Sequence, residues 1–468
     1  MNSQSQHQPS ISSRKKGLHI YVEILNFDDE LEQEEKRTHN IRKSLAFLNG
    51  LFSSIQRFAV GRYPDAVIEK VTGSRLHLYI EDKRNQGVGH CILVMLNIAV
   101  YAYGALKTAN ENSAIALSQP MNIRIGANYG EFRVFSLEEE ETSIGYAANF
   151  ACKLLSVTQV STIAIAKDDY QALNVGARRL FAMTVSPRIK KYTDDGSGVY
   201  YAAGLHLLFA NMDALNAAFD DDSRRQVLES FSRHSSRQIL MESANSLSDL
   251  DRLSENRPVK ISGSAIFADI RGFTLLFEPD DSNLNVLVGQ IAHTLQKMRA
   301  IVDKSGKHIQ IQGDKEVGVF AGAYAGKVVS VGEAVRSGMN ILDFFAGEKF
   351  SVGIGMASGP IYVAKVGIRN NTDVVIFGRT VSLGDWLQET RAEEGDLVIT
   401  DQMHNELLKE PYLKFLANQF KPIDYGLYWK TDVGLTEYTQ RFQNNKNNEA
   451  IAKKEYPGAY RSFVSDGL

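Results

Sequence analysis

Two aspartates in the C-terminal half stand where metal ligands are often found. Asp269 ends the apolar run SGSAIFADI, and Asp314 lies in the glycine turn of QGDKEVGVF, which joins two strand-like runs. Both carboxylates can therefore reach the same edge of a sheet. Hard ions such as Mg²⁺ and Mn²⁺ bind through one or two carboxylates plus substrate phosphates. The pair indicates a divalent-metal site, although two such aspartates can also cap a turn or a strand end.

A second polar pair lies in the N-terminal half. The run IGYAANFACKLL places Asn149 and Lys153 four residues apart, which puts both side chains on one face of a predicted helix. An amide and an ammonium on one face make these two residues a candidate functional pair. The alternative is an ordinary amphipathic helix.

The predicted strands and helices that must position these residues occur twice along the chain, in the same order. From Gly17 the chain alternates predicted strands and helices, including one long helix from Glu30 to Val60, and the order returns after residue 258. The run IRIGANYGEFRV lies over VGIGMASGPIYV with both glycines of each run aligned. This repeat predicts an α/β (α+β) protein with two ferredoxin-like cores, each with helices packed on one face of its sheet.

Composition shifts divide the chain into five predicted parts. The apolar runs of the two copies are separated by helical spacing broken with polar turns such as HSSR and SDLDRLSENRP. The parts are a disordered arm (1–16), a first copy (17–204), a helical connector (205–257), a second copy (258–440) and a polar C-terminal tail (441–468).

The composition favours a soluble cytoplasmic protein. A net charge of −3 with 44% hydrophobic and 23% charged residues is ordinary for a globular chain and offers no basic stripe for nucleic acid. Cys91 and Cys152 are too few for a disulfide framework, and the polar start resembles no secretory signal. The apolar run Cys91–Leu106 is shorter than the roughly 20 residues of a membrane span, so we expect a buried core helix and no membrane partner.

The second half resembles the catalytic domain of class III adenylyl and guanylyl cyclases. FADIRGFT, the later Gly-Asp turn and VGIGMASGPIYVAKVG carry this resemblance over roughly Ser262–Leu408. It implies that Asp269, the carbonyl of Ile270 and Asp314 hold two divalent metal ions, Mg²⁺ or Mn²⁺. It also implies that the sugar 3′-oxygen of a nucleoside triphosphate attacks the α-phosphorus, with no side-chain nucleophile.

The same resemblance suggests which residues bind the substrate. Arg369, just after KVG, falls where the family places a basic residue on the β and γ phosphates, and Lys365 is near enough in sequence to share that role. Lys70 and Thr142 fall at the base-reading positions. A lysine donor beside a hydroxyl acceptor suits the edge of adenine or cytosine better than that of guanine or uracil.

The family acts as a dimer with its active site between two domains, and a tandem chain can form that interface alone, as an intramolecular pseudo-heterodimer. Where the family has an asparagine and an arginine, the second half has Ser382 and a tryptophan, whereas the first half has Asn149 and Lys153. Conversely, the first half has Glu23 and Ser74 at the two metal positions. We therefore expect one working site per chain and an inactive mirror site.

The tandem arrangement and divergent first half resemble the bacterial antiphage pyrimidine cyclases of Pycsar systems. This resemblance implies a cyclic pyrimidine nucleotide, cyclic CMP favoured, that acts on a separate effector protein. Uridylate and adenylate cyclases remain alternatives, and a catalytically inactive nucleotide-binding sensor is an alternative of another class. A diguanylate cyclase is disfavoured because QGDKE lacks the GGDEF pattern. A monomeric pseudo-dimer is sufficient for the site.

Overall fold

The computed structural model describes residues 10–443 except for 84–85, 138–139, 194, 216, 245–246, 274–283, 322, 325–326, 329, 369–370 and 412. Within this range the chain forms two nine-stranded mixed sheets with flanking helices and one small two-stranded sheet.

The first domain contains strands and helices in alternation. In chain order they are β1 (Ser10–Ile11), β2 (Lys15–Leu25), α1 (Phe27–Thr38), α2 (Arg42–Arg62), β3 (Ala66–Thr72), β4 (Arg75–Glu81), α3 (Val88–Glu111), β5 (Asn122–Leu137), β6 (Glu140–Ile144), α4 (Tyr146–Val157), β7 (Thr162–Ile165), α5 (Lys167–Ala172), α6 (Val175–Arg178), β8 (Ala182–Val185) and β9 (Val199–Gly204).

The connector and the second domain follow. The connector contains α7 (Leu205–Ala210), α8 (Asp221–Ser235) and β10 (Glu242–Ala244). The second domain contains β11 (Val259–Arg271), α9 (Leu284–Val302), β12 (Lys307–Gln312), β13 (Lys315–Ala321), β14 (Ala323–Tyr324), β15 (Lys327–Val328), α10 (Ser330–Phe345), β16 (Ser351–Ile368), β17 (Asn371–Phe377), α11 (Arg379–Thr390), β18 (Leu397–Thr400), α12 (Asp401–Lys409), α13 (Lys414–Ala417), β19 (Lys421–Ile423), β20 (Tyr428–Thr431) and α14 (Leu435–Gln443).

The two sheets have the same strand order, which confirms the predicted tandem fold. The first runs β3-β4-β2-β5-β7-β9-β8 and the second β12-β13-β11-β16-β18-β20-β19. The aligned glycines also occupy equivalent positions, because Tyr21 pairs with Gly126 and Phe267 pairs with Gly355. The two metal positions correspond in the same way: Glu23 faces Arg75 as Asp269 faces Lys315.

Helices pack on both faces of each sheet, which corrects the expectation of a single covered face. A Cβ on Gly126 would meet the backbone N of Leu155 in α4 at 2.4 Å, and one on Gly355 would meet that of Gln388 in α11 at 2.3 Å. Glycine at these two positions therefore lets α4 and α11 lie directly on the strands. The other faces pack against α2 and α3, or against α9 and α10.

The domains exchange apolar side chains across their interface. Phe135 and Ile144 of the β5–β6 hairpin are buried in the core of the second domain. Tyr362 and Phe377 of the β16–β17 hairpin are buried in the core of the first domain. Because each core is completed by the other domain's hairpin, the relative position of the two domains is fixed by buried apolar surface.

Three predicted segments differ in detail. The long helix expected from Glu30 to Val60 is two helices, because His39 takes a left-handed conformation (φ 55°) that ends α1. Part of the predicted disordered arm is ordered, since Ser10–Ile11 pairs with β5 and β2 already begins at Lys15. The connector also contributes β10, which extends the second sheet beside β11.

Helix α3 contains the apolar run that raised the question of a membrane span. It is long and apolar enough to cross a bilayer, yet 72% of its apolar window is buried inside the protein. Its residues belong to the core of the first domain. This burial fits the prediction of a core helix.

Candidate active site

The two domains meet at a cleft with a cavity volume of about 330 Å³. Most of the sequence-predicted site residues line it, although they are far apart in the chain. From the first domain these are Lys70, Thr142, Asn149 and Lys153, and from the second they are Asp269, Ile270 and Asp314.

Asp269 lies near the C-terminal end of β11 and is held by two neighbouring side chains. Arg271 Nη1 donates to Asp269 Oδ2 at 3.1 Å, and Gln388 Nε2 donates to the same oxygen at 2.9 Å. Arg271 is itself anchored by the carbonyls of Gln388 and Ala392 at 2.7 and 2.6 Å, and it lies across Gly353, where a Cβ would meet the guanidinium. Among the described residues both bonds to Asp269 end on Oδ2, which leaves Oδ1 for a cation.

Asp314 lies in the turn between β12 and β13, next to the Asp269 strand. Its carbonyl accepts from the backbone N of Ile270 at 3.3 Å, which ties together the two segments that contain the predicted metal ligands. Burial, and then the negative charge of Asp269, raises the pKa of Asp314 well above its usual range, whereas Lys315 and Lys153 act in the opposite direction. Two crowded carboxylates and a carbonyl are a hard oxygen donor set, so these residues fit Mg²⁺ or Mn²⁺.

Asn149 and Lys153 both face the cleft from α4, and Lys153 is paired across the domain interface. Its Nζ donates to Glu389 Oε1 of α11 at 2.7 Å. Burial would raise the pKa of Glu389, but the neighbouring cations Lys153, Lys315 and Arg75 together outweigh it and lower the pKa to about 2. Glu389 also lines the cleft, so the ammonium is held beside the space where a substrate would lie.

Lys70 and Thr142 also line the cleft. Lys70 Nζ donates to the carbonyl of Ile311 in the second domain at 2.7 Å. Thr142 Oγ1 donates to Glu69 Oε1 at 3.2 Å. Both side chains are nearly buried, at 8% and 5% exposure, so a base placed there would contact hydrogen-bonding groups with fixed partners.

The two residues expected at the phosphates are not in the described cleft. Arg369 lies outside the described residues. Lys365 pairs with Val374 in the β16–β17 hairpin and does not line the cleft, because β16 continues as a strand to Ile368 and carries residue 365 along the hairpin. The course of strand β16 therefore decides where Lys365 lies, although this residue is close to Arg369 in sequence.

Other cations line the cleft, and sequence reasoning missed them. Lys315 follows Asp314 directly, and its Nζ donates to Asp385 Oδ1 of α11 at 2.5 Å. Arg75, its equivalent in the first domain, also lines the cleft and lies 4.0 Å from Asp385 Oδ2. The signal was available in the repeat, because a basic residue follows each of the two aligned turns.

The pseudo-symmetric mirror site holds a much smaller cavity of about 70 Å³. Glu23, at the position of Asp269, is bonded by both Arg75 and Arg124, so its charge is already compensated. Ser382, at the position of Asn149, donates to the Asp28 carboxylate, which also accepts from the backbone N of Gly378 at 3.0 Å. These side chains occupy the space that corresponds to the open cleft.

Comparisons with known proteins agree with this architecture. No family model matches the chain. A uridylate cyclase from Gulbenkiania mobilis is 26% identical over 244 residues, which cover 48% of this chain and 87% of that protein. A crystal structure of a class III adenylyl cyclase-like ATP-binding protein from Pseudomonas aeruginosa superposes with a TM-score of 0.71 at 17% identity and covers 94% of this chain and 93% of its own. Its coverage includes both domains, so the tandem cyclase fold extends over almost the whole chain.

Proposed function

We infer that this chain, a class III nucleotide cyclase with tandem cyclase domains, converts a pyrimidine nucleoside triphosphate, CTP in preference, to its 3′,5′-cyclic monophosphate and pyrophosphate. One observation carries the proposal: a single cleft brings Asp269 and Asp314 of the second domain together with Asn149 and Lys153 of the first. The mirror site lacks both pairs. One working site per chain follows.

The reaction needs positioning and charge more than a protein nucleophile. The ribose 3′-oxygen forms a bond to the α-phosphorus, the bond from that phosphorus to the β-phosphate oxygen breaks, and pyrophosphate leaves as the 3′-hydroxyl loses its proton. Mg²⁺ or Mn²⁺ held by Asp269, Asp314 and the Ile270 carbonyl would neutralise phosphate charge and lower the pKa of that hydroxyl. Arg271 and Gln388 fix Asp269 for this role.

The first domain would supply the groups that face the α-phosphate. Asn149 can donate its amide N–H to a phosphate oxygen, and Lys153 brings a point charge instead of the guanidinium fork of an arginine. Groups aimed at charge that grows in the transition state raise kcat more than they strengthen binding. Lys153 must exchange its contact with Glu389 for the phosphate, and Lys315 and Arg75 can balance the remaining triphosphate charge.

The base is assigned from Lys70 and Thr142. Cytosine presents a ring-nitrogen acceptor beside an exocyclic amine, which matches an ammonium donor and a hydroxyl acceptor, whereas uracil presents a ring N–H beside a carbonyl. Adenine shares the cytosine edge, and the ATP-binding protein with the same tandem fold supports ATP as an alternative. UTP is a second candidate because the relative from Gulbenkiania mobilis is a uridylate cyclase.

A nucleotide panel tests the activity. The purified chain is incubated with Mn²⁺ and each of the four ribonucleoside triphosphates, and products are identified by mass spectrometry. Asp269→Ala and Asp314→Ala are each expected to abolish cyclic product while the chain stays folded, whereas Asp432→Ala, at an exposed aspartate outside the cleft, keeps it. Turnover retained in both cleft variants contradicts the assignment, and binding without any cyclic product favours a nucleotide sensor.

The proposed biological role follows from the resemblance to Pycsar cyclases. The cyclic nucleotide would act as a second messenger on a separate effector protein in the bacterial cytoplasm, as part of antiphage defence. Phage plating on cells that carry the native locus, with wild-type or Asp269→Ala chain, tests this role. Equal plating efficiencies on the two strains contradict it.

A further inference from the structure

Three polar side chains form a buried row that reaches the cleft, where two of them line the cavity. His19 lies on β2, Glu69 on β3 and His77 on β4. His19 Nδ1 lies 3.1 Å from His77 Nε2, and His77 Nδ1 lies 3.3 Å from Glu69 Oε2. Tyr21 stacks on His77 with ring centroids 3.9 Å apart. The row therefore ends on a carboxylate that lines the cleft and is bonded by Thr142.

The Glu69 carboxylate collects hydrogen bonds from the next hairpin. Its Oε1 accepts from the backbone N of Ser143 at 2.9 Å and from Thr142 Oγ1 at 3.2 Å, and its Oε2 accepts from the Ser143 hydroxyl. A hydroxyl has one proton to donate. Because the Thr142 hydroxyl donates its hydrogen bond to Glu69, it offers only its oxygen lone pairs to a ligand in the cleft.

We propose, resting on the function inferred above, that Glu69 is a positioning residue for base specificity, which selects cytosine-type bases by holding Thr142 as a hydrogen-bond acceptor. The recognised edge is an exocyclic amine next to a ring-nitrogen acceptor. The amine donates to Thr142 Oγ1, and the ring nitrogen accepts from Lys70. The Lys70 ammonium has three N–H donors, and one of them is bonded to the carbonyl of Ile311.

Uracil is then mismatched at two points. Its ring N–H faces the Lys70 ammonium, donor against donor, and its carbonyl faces the Thr142 oxygen, acceptor against acceptor. Thr142 cannot relieve the second mismatch by turning its proton, because the proton is committed to Glu69. Buried polar groups without a partner discriminate strongly between ligands of the same shape.

The row behind Glu69 keeps this acceptor charged. Burial would raise the pKa of Glu69, but His77, Lys70 and the Ser143 hydroxyl outweigh burial and hold it well below its usual range. Burial, and then His77, lowers the pKa of His19 to about 3, so the last member of the row is neutral. Glu69 remains a carboxylate that accepts and does not donate.

The same three side chains are also close enough to suggest a metal site. A metal needs all its ligand atoms to point at one centre. His77 instead faces Glu69 with Nδ1 and His19 with Nε2, on opposite edges of its ring. This geometry is that of a hydrogen-bonded row.

The test compares binding of two probes that the chain cannot cyclise. The α,β-methylene analogues of CTP and UTP lack the bond that breaks in the reaction, and their dissociation constants are measured by calorimetry in Mg²⁺ buffer. The wild-type chain is expected to bind the CTP analogue more tightly. Glu69→Ala, which frees the Thr142 hydroxyl, is expected to reduce that preference about tenfold, equal to about 1.4 kcal/mol.

Two variants of Thr142 separate specificity from folding. Thr142→Val removes the acceptor and leaves Glu69 in place, so it is expected to reduce the preference about as much, and Thr142→Ser, which keeps the hydroxyl, is expected to retain it. Thermal unfolding checks each variant, and if Glu69→Ala does not fold, the two Thr142 variants decide. A preference unchanged within about twofold in folded Glu69→Ala or in Thr142→Val overturns the proposal, as does a wild-type chain that binds the UTP analogue equally well.

Failure of the cyclase proposal can be distinguished from failure of the Glu69 proposal. A wild-type chain that prefers the CTP analogue but makes no cyclic product contradicts the cyclase proposal and leaves the role of Glu69 standing. If the wild-type chain makes cyclic product but Glu69→Ala keeps the full preference for the CTP analogue, the cyclase proposal stands and the role of Glu69 is contradicted.

Discussion

Replacing Glu389 by glutamine is expected to lower the KM for the nucleoside triphosphate and to change kcat little. Glu389 bonds the Lys153 ammonium at 2.7 Å in the cleft, where the triphosphate must displace it. Glutamine keeps the size of the side chain and removes both the attraction to Lys153 and the repulsion of the phosphates. Because the triphosphate displaces this contact when it binds, weakening the contact should tighten substrate binding, while the Lys153 ammonium itself remains available in the transition state.

The size of the effect follows from the exposure of the pair. The Lys153 and Glu389 side chains are 31% and 33% exposed, so solvent screens their attraction. Partly exposed pairs contribute about 0.2–1 kcal/mol. Converted at 1.4 kcal/mol for each factor of ten, this is a KM reduced by about 1.4-fold to 5-fold.

Steady-state kinetics with the preferred nucleotide provide the measurement. Glu394→Gln, at an exposed position four residues beyond the end of the same helix, changes the net charge equally and should leave KM within experimental error. In the Lys153→Ala background the benefit of Glu389→Gln should shrink, since the competing contact no longer exists. A KM that rises in Glu389→Gln would refute the reasoning, because it would mean that Glu389 holds Lys153 in its working position.

Three further outcomes are expected. Asn149→Ala should lower kcat about 100-fold or more with KM changed less than about threefold, while Ser382→Ala at the mirror position leaves both unchanged; equal effects in steady-state kinetics would argue for two working sites. Asp314→Asn should abolish turnover yet raise the Tm of the metal-free chain at pH 7, because the raised pKa of this buried carboxyl shows that its charge opposes folding; an unchanged or lower Tm contradicts this. Burial raises the pKa of Asp169 to about 8, so the folded chain keeps a proton that the unfolded chain loses above about pH 4, and its stability falls between those values; Asp169→Asn should flatten that dependence in thermal unfolding at pH 5 and pH 8, and an unchanged slope would contradict the assignment.

The repeat could be predicted from sequence because close packing restricts residue choice. Gly126 and Gly355 must lack a side chain for α4 and α11 to lie on their strands, so both copies keep glycine at the same strand position. The break at His39 was missed because apolar spacing continues through it, although the polar Thr-His-Asn run marks the turn. The spacing of apolar residues indicates which face of a helix is buried, but it does not indicate where a single residue in the left-handed conformation ends the helix.

The site was predictable where one residue type is tied to one chemical task. Asp269, Asp314 and Asn149 are short polar side chains at strand or helix positions that line the cleft, and the resemblance to class III cyclases, added to their spacing, predicts their roles. Glu69 and Glu389 were missed because their partners come from other elements: Thr142 and Ser143 lie on β6, and Lys153 lies on α4. Such pairings depend on tertiary packing, which spacing along one segment does not contain.

Residues that differ between the two sites form additional contacts in the mirror site. Arg124 takes the place of Gly353, and its guanidinium bonds Glu23 where the proposed active site has Asp269, a proposed metal ligand. Asp28 accepts from Ser382 and from the backbone of the second domain, where the working site leaves room for substrate. Contacts that close the mirror site thus join α1 to α11 across the domain boundary, whereas in the open site Asp269 and Glu69 are bonded by side chains of their own domains.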